Sequence, residues 1–312
     1  MNKKLISVVI PCYNEEENVE DMCIAIKKIF DEVKDYDYEN IFIDNASKDN
    51  TVARLKKVAE NDKHVKIIVN TRNFGHMRSP FHAYLQTKGD AVIAIPCDFQ
   101  EPPELIKEFI AEWEKGYKIV IGVKTNSKES KIMFATRRLY YNIVTSLSDT
   151  ELIKNFTGFG LYDRKIIDVL RTIDDPYPYF RGLICEIGYS IKEIGYIQQQ
   201  RKKGATKNNF YALYDTAMLG ITSNSKVPLR IATLISFPMA LLSLFLSIIY
   251  FILKLVMWPN YPIGFAPLLI GMFFFTSVQL FFIGIIGEYV GAIYTQVCKR
   301  PLVIEKERIN FD

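Results

Sequence analysis

The chain has 312 residues, with 39 Lys and Arg against 35 Asp and Glu for a net charge of +4. Such a length supports one large or two small domains with ample core, and a balance so near neutrality gives no basis for a nucleic-acid partner. Five cysteines (Cys12, Cys23, Cys97, Cys185 and Cys298) are an odd number without a C-x-x-C pair; they exclude a disulfide framework and fit free thiols in a reducing cytosol.

From the amino end, the opening MNKKLISVVIPCYNEEEN holds too short an apolar stretch for a secretory signal and turns acidic at once. Leu5–Pro11 is a continuous apolar run, which predicts a strand buried on both faces. Val19, Met22, Cys23, Ile26, Ile29, Phe30 and Val33 form one stripe of an amphipathic helix. The alternation continues with strand Asn40–Asp44, helix Thr51–Glu60, strand Val65–Asn70, helix Pro80–Thr87, strand Ala91–Pro96, helix Pro103–Lys115 and strand Lys118–Val123. It predicts an α/β fold, a mostly parallel sheet flanked by helices, with ligands beyond the carboxyl ends of the strands.

Further on, Ile231–Leu253 and Tyr261–Gly287 carry no charged side chain over 23 and 27 residues. At about 1.5 Å per residue either exceeds the ~30 Å hydrocarbon core of a bilayer. They predict a two-helix membrane hairpin; two buried helices of a soluble protein are the alternative. Lys226 and Arg230 precede the first run, Lys299, Arg300, Lys306 and Arg308 follow the second, and only Lys254 lies between. This charge bias puts both termini on the cytosolic side of the cell membrane, where sequons at Asn45 and Asn155 carry no meaning. The expected organisation is a soluble domain over 1–205, a juxtamembrane helix over 206–228, two spans within 229–298 (about 231–254 and 263–287) and a cytosolic tail over 299–312. In the juxtamembrane segment Phe210, Leu213, Tyr214, Ala217, Met218 and Ile221 share a helical face suited to the interface or to packing on the soluble domain. Glu288, just past the second run, belongs at the cytosolic edge or beside a basic neighbour.

The strand tips hold the candidate chemistry: PCYNEEEN (11–18), DNASKDNT (44–51), NTRNFGH (70–76) and PCDFQEPP (96–103). None has the Gly-rich turn of a dinucleotide site or of a P-loop. A nucleotide bound here is therefore held through base and ribose, its diphosphate neutralised by a metal and distant cations. Asp44, Asp98, Gln100 and Glu101 suit that task. One carboxylate accepts from a base N–H or a ribose hydroxyl, while another holds magnesium, which keeps several waters and needs only one or two protein carboxylates. Taken singly, each also reads as an Asx-turn or a helix N-cap. His76 and His82 have no third ligand spaced with them, and the metal prefers oxygen; both read as structural, His76 near the donor phosphates.

In this order the tips resemble glycosyltransferase family 2, whose catalytic domain has the GT-A fold. VVIPCYNEEENV is similar to the family's opening strand and turn, IDNASKDNT to its nucleoside-binding turn and TRNFGH to its Arg-Asn-Phe-Gly segment. With GLYDRKIID (160–168), RKKGATKNN (201–209), the two uncharged runs, GEYVGAIY and KRPL, nearly the whole chain resembles the polyisoprenyl-phosphate branch, to which dolichyl-phosphate mannose synthase also belongs. The resemblance implies an inverting transfer of sugar from a nucleotide donor, a UDP-sugar in bacterial members, to polyprenyl (undecaprenyl) phosphate in the membrane. It implies that Asp44 holds the nucleoside, that Pro11, Tyr13, Glu15 and Asn45 line base and ribose, that Asp98, Gln100 and Glu101 hold Mg2+ or Mn2+, and that Arg201 and Lys207 meet phosphates.

Three positions depart from the family's pattern. Asn45 replaces a second aspartate, Pro96 replaces the first aspartate of Asp-x-Asp, and Gly158 replaces an acid proposed as catalytic base, which leaves Asp163 and Glu186 as fallback bases. A phosphate monoester has a second pKa near 6 and is mostly dianionic at neutral pH, so alignment and cancellation of charge are what such a site must supply. The basic segment at 201–207 serves equally to bind anionic headgroups, at about 1 kcal/mol per charge. Two other classes stay open. A processive polysaccharide synthase calls for more spans and a Gln-x-x-Arg-Trp motif, which contains neither Trp113 nor Trp258, and a non-catalytic scaffold would account for the three departures. The sequence leaves room for a homo-oligomer.

Overall fold

The computed structural model describes residues 3–126, 153–199, 218–222, 225–256 and 265–311. Arg201, Lys207 and the expected apolar face from Phe210 to Ala217 lie outside them. Strand and helix alternate as β1 (Lys4–Cys12), α1 (Val19–Glu32), β2 (Tyr36–Asp44), α2 (Thr51–Asn61), β3 (Val65–Asn70), α3 (Gly75–Gln86) and β4 (Ala91–Ala94). A 3-10 turn at Pro103–Leu105 leads into α4 (Ile106–Glu114), followed by β5 (Ile119–Asn126), β6 (Phe156–Asp163), α5 (Arg164–Thr172), α6 (Phe180–Glu186) and β7 (Ile191–Ile197). Two long helices, α7 (Val227–Val256) and α8 (Phe265–Val297), precede the last strand, β8 (Glu305–Ile309).

One sheet runs β7-β5-β6-β4-β1-β2-β3-β8. β1 pairs in parallel with β2 and β4, β2 with β3, and β5 with β7, whereas β6 is antiparallel to β4 and β5, and β8 to β3. The alternation of side chains along each strand fills a core on each face. Ile6, Val8, Ile10 and Phe42 point to one side and meet Met22, Leu55 and Phe109 of α1, α2 and α4. Val9, Ile41 and Ile43 point to the other and meet Phe81, Ile166 and Phe180 of α3, α5 and α6. The chain moves outward from β1 to β2 and β3, then returns past β1 to β4. That reversal opens a crevice between the carboxyl ends of β1 and β4, the place where such sheets bind ligands.

Two boundaries differ from the sequence expectation. α3 begins at Gly75, and Pro80 sits inside it: Gly75 has φ +87° and its N–H bonds Asn73 Oδ1 at 2.8 Å, so the turn after β3 launches the helix early. The tail is no loose extension but a strand of the main sheet. β8 pairs Arg308 with Ile68 and Ile309 with Ile67, Lys56 meets Glu307 at 2.6 Å, and His82 meets Glu305 at 2.6 Å. His82 is thereby accounted for structurally.

α7 and α8 contain stretches long and apolar enough to cross a membrane, Val227–Leu253 and Gly271–Val297. Their large side chains point outward, with Leu234 71%, Phe237 68% and Phe281 66% exposed. α8 runs ten residues beyond the uncharged stretch and docks on the sheet domain. Gln296 Nε2 donates to Asp175 Oδ1 of that domain at 2.7 Å, while Tyr289 Oη donates at 2.7 Å to Ser225 O, just before α7. In the described part of the juxtamembrane stretch, Leu219 and Ile221 pack with Tyr179, Met77 and Cys185 of that domain.

Candidate active site

Asp44 ends β2 as a fully buried residue. Its Oδ2 accepts the Ser47 N–H at 2.9 Å, while Oδ1 is buried and has no partner. Burial pushes the carboxyl pKa above its usual value, and hydrogen bonds from Ser47 offset part of that rise. An unpaired buried acceptor costs about 1–3 kcal/mol, a cost that a ligand N–H or O–H would remove.

The neighbouring tip is fastened to this one. Asn14, at φ 53°, donates its N–H to Ser47 Oγ at 2.8 Å and accepts the Lys48 N–H on Oδ1 at 2.7 Å. The Glu15 N–H bonds Thr51 Oγ1 at 2.9 Å, and the Glu15 carboxylate accepts from Asn18 Nδ2 at 2.6 Å. Pro11 and Tyr13 are half-buried beside them.

Asn45 has a different role from the one expected of it. Its Oδ1 accepts from Phe74 N and Asn70 Nδ2, and its Nδ2 donates to Asn73 Oδ1 and Gly75 O, at 2.8–3.2 Å. With both ends of the amide so engaged, Asn45 ties the β2 tip to the β3 tip, and its side chain has little left to offer a nucleotide. A charged aspartate there would lack the two donors that hold Asn73 and Gly75.

At the β4 tip Asp98 is half-buried, and its Oδ1 accepts the Gln100 N–H at 3.1 Å across Phe99, which has φ 57°. Glu101 turns away into the protein. It is buried, its Oε1 accepts from Tyr196 Oη at 3.1 Å and Thr157 Oγ1 at 3.3 Å, and Lys124 Nζ lies 4.0 Å off. Burial raises its pKa, with Lys124 opposing. These contacts make Glu101 a brace between the β4 tip and strands β6 and β7, in place of the ligand role expected of it. Among the described residues no three His, Cys, Asp or Glu side chains converge on a metal position. The donor set left at the tip is one half-buried carboxylate and one amide. It fits a hard ion that draws its other ligands from diphosphate oxygens and water, as magnesium does.

The two fallback bases lie elsewhere. Asp163 opposes Ala91 at the amino end of β4, the pole opposite Asp44 and Asp98. It caps α5 through Lys165 N at 3.0 Å and accepts from Trp113 Nε1 at 2.7 Å and Lys118 Nζ at 2.9 Å. Burial alone would raise its pKa, but these hydrogen bonds outweigh it and hold the carboxyl below its usual range. Asp163 is structural, and its candidacy as base falls. Glu186, exposed at the end of α6, borders a cavity of ≈ 420 Å³ against α8, lined also by Tyr179, Leu183, Tyr289, Ile293 and Val297.

A second cavity, ≈ 400 Å³, opens at the crevice itself, walled by Pro11, Pro96, Thr157 and Gly158 from the strand tips, His76 from α3 and Arg181 from α6. Among the described residues no carboxylate lines it. Gly158 has φ +101°, and a Cβ there would touch only Phe180, at 3.7 Å. The glycine thus serves its backbone angle and leaves the wall bare where the family has an acid. His76 lines this space and is still exposed to solvent; partial desolvation first, and then the charge of Arg181, lowers its pKa. No local pattern in the sequence sets Arg181, Thr157 or Tyr196 apart.

The geometry can now be compared with known proteins. Residues 7–171 match the model of "Glycosyl transferase family 2". The chain is 32% identical to an uncharacterized glycosyltransferase, YkcC, of Bacillus subtilis, over 98% of this chain and 94% of that one. It is 31% identical to the bactoprenol glucosyl transferase of Shigella phage SfX over 97% and 99%, and 32% identical to the prophage-derived bactoprenol glucosyl transferase of Shigella flexneri over 97% of each. Among solved structures, glucosyl-3-phosphoglycerate synthase from Mycobacterium tuberculosis superposes with a TM-score of 0.52 at 18% identity, covering 70% of this chain and 76% of that one. The sheet, its switch point and these matches together assign the GT-A fold, and the chain belongs to glycosyltransferase family 2.

Proposed function

We propose that the protein moves a sugar from a UDP-sugar to polyprenyl phosphate on the cytosolic face of the membrane. The observation that carries this reading is the carboxylate-free cavity beside the acidic tips: it suits an acceptor that needs no deprotonation. Relatives matched end to end are named bactoprenol glucosyl transferases, which supports a polyprenyl acceptor. The outward-facing apolar side chains of α7 and α8 support membrane insertion, since exposed apolar surface on that scale needs cover. Lys226, Arg230, Lys299 and Arg300 support a cytosolic site.

In this reading Asp44 Oδ1 accepts from the base or ribose, with Tyr13 and Pro11 alongside. Asp98 and Gln100 would hold a magnesium or manganese ion, which when bound neutralises charge on the diphosphate. The strand tips orient the donor, and the cavity walls of Ile95, Phe159 and Phe180 keep water from its anomeric carbon. Radiolabelled nucleotide-sugars supplied to purified full-length protein in undecaprenyl-phosphate vesicles test the function. Label moving into the lipid fraction from one donor is the expected result; no transfer from any donor would defeat the proposal.

A further inference from the structure

Among the described residues the cavity at the crevice has one permanent cation on its wall, Arg181 in the first turn of α6. Among the described residues Arg181 forms no ion pair. Its single hydrogen bond runs from Nη1 to Phe156 O at 3.4 Å, and its guanidinium lies 5.2 Å from the Tyr179 ring. A guanidinium carries five N–H donors in a planar fork matched to phosphate, so this half-buried group keeps most of its binding capacity unused. His76 is near enough to feel its charge and is held toward the neutral form, a hydrogen-bonding neighbour instead of a second cation.

The surroundings of Arg181 indicate which anion reaches it. Its neighbour Tyr179 lines the other cavity, together with Leu183, against Ile293 and Val297 of α8. Along α8 this wall begins at Tyr289, which is bonded to Ser225 just before α7, and ends at Val297, about 12 Å further on at 1.5 Å per residue. The wall adjoins Arg181 through Tyr179, and it carries the acids Asp175 and Glu186 beside its apolar residues. An apolar chain trailing from an anion held at Arg181 would meet Tyr179, Leu183, Ile293 and Val297 here, whereas the nucleotide side is built from the polar tips of β1 and β2.

We propose that Arg181 grips the phosphate of the polyprenyl acceptor, with the first prenyl units lying between α6 and α8; this rests on the acceptor reading above. A phosphate oxygen donates its lone pair to the anomeric carbon as the bond from that carbon to the nucleotide's β-phosphate oxygen breaks. The electron pair departs with the nucleoside diphosphate. The acceptor goes from dianion to monoanion, the leaving diphosphate gains that charge, and no proton is transferred. A site for this step needs a fork of donors and no base, which matches Arg181 and Gly158 on the wall of one cavity.

Full-length protein with undecaprenyl phosphate in nanodiscs provides the test. R181A raises the acceptor KM roughly 10- to 100-fold, the loss expected for charge-assisted hydrogen bonds, and leaves nucleotide affinity by calorimetry unchanged. R181K recovers part of the loss. The acidic limb of kcat moves to higher pH in R181A, toward the free phosphate value near 6, because Arg181 no longer favours the dianion. Should R181A fail to fold, R181Q carries the same expectations. An unchanged acceptor KM, or a loss confined to nucleotide binding, overturns the proposal. Wild-type protein that binds undecaprenyl phosphate through Arg181 but transfers no sugar would defeat the functional reading and leave this site standing.

Discussion

Asp44 and Asp163 each end a strand of one sheet, at opposite poles, and their surroundings pull them in opposite directions. At the amino pole Asp163 receives an indole N–H, an ammonium and a backbone N–H, and its pKa falls. At the carboxyl pole Asp44 is more deeply buried, keeps one oxygen without a donor, and its pKa rises. A satisfied carboxylate stabilises the fold it sits in. An unsatisfied buried one lowers stability until something else binds, and that difference separates a structural acid from a binding one within one residue type.

Three substitutions sharpen or break this contrast. The largest effect is expected at the carboxyl pole: Asp98→Ala lowers transfer on the order of 10³-fold by removing the anchor for charge-neutralising metal, while circular dichroism and membrane insertion stay as in wild type. Full activity with excess magnesium would remove Asp98 from the site. Next, Asp44→Asn weakens nucleotide binding about 10- to 100-fold. In the wild type, protonation destroys the acceptor, so affinity falls as pH drops through the raised Asp44 pKa; in the variant that dependence flattens. A wild-type affinity indifferent to pH would show that Oδ1 never meets the ligand.

The smallest effect on catalysis belongs to Asp163→Ala, which leaves kcat/KM near wild type but lowers stability by about 1–3 kcal/mol, since Trp113 Nε1 loses its acceptor. Because the folded pKa of Asp163 lies below its unfolded value, its contribution is full above the unfolded pKa and is lost as pH falls through the folded one. The gap between wild type and variant in urea titrations therefore closes toward strong acid. A variant of unchanged stability but impaired turnover would reverse the assignment of poles.

The sheet was legible because parallel strands buried on both faces read as unbroken apolar runs, and its tips because polar residues end those runs abruptly. The acids at the tips could be found but not ranked. Asp98 and Glu101 look alike three residues apart, and only Tyr196 and Thr157, distant in sequence, turn Glu101 inward. Asn45 reads as a weakened aspartate until its amide is seen to bridge two loops. β8 gave no signal, since EKERI has four charged residues and draws its pairing from the open edge of β3. Arg181 gave none either, because a cation without an ion pair is recognised only once its surroundings are known.

That final strand has a consequence for biogenesis. β7 stops at Ile197 and β8 starts at Glu305, so the two apolar helices are spliced into the sheet domain ahead of β8. On the ribosome, the flank of β3 stays bare until both apolar helices have been made. Closure of the sheet must then follow the making of both apolar helices. Deleting β8 would leave the outer edge of β3 unpaired and disturb that assembly step.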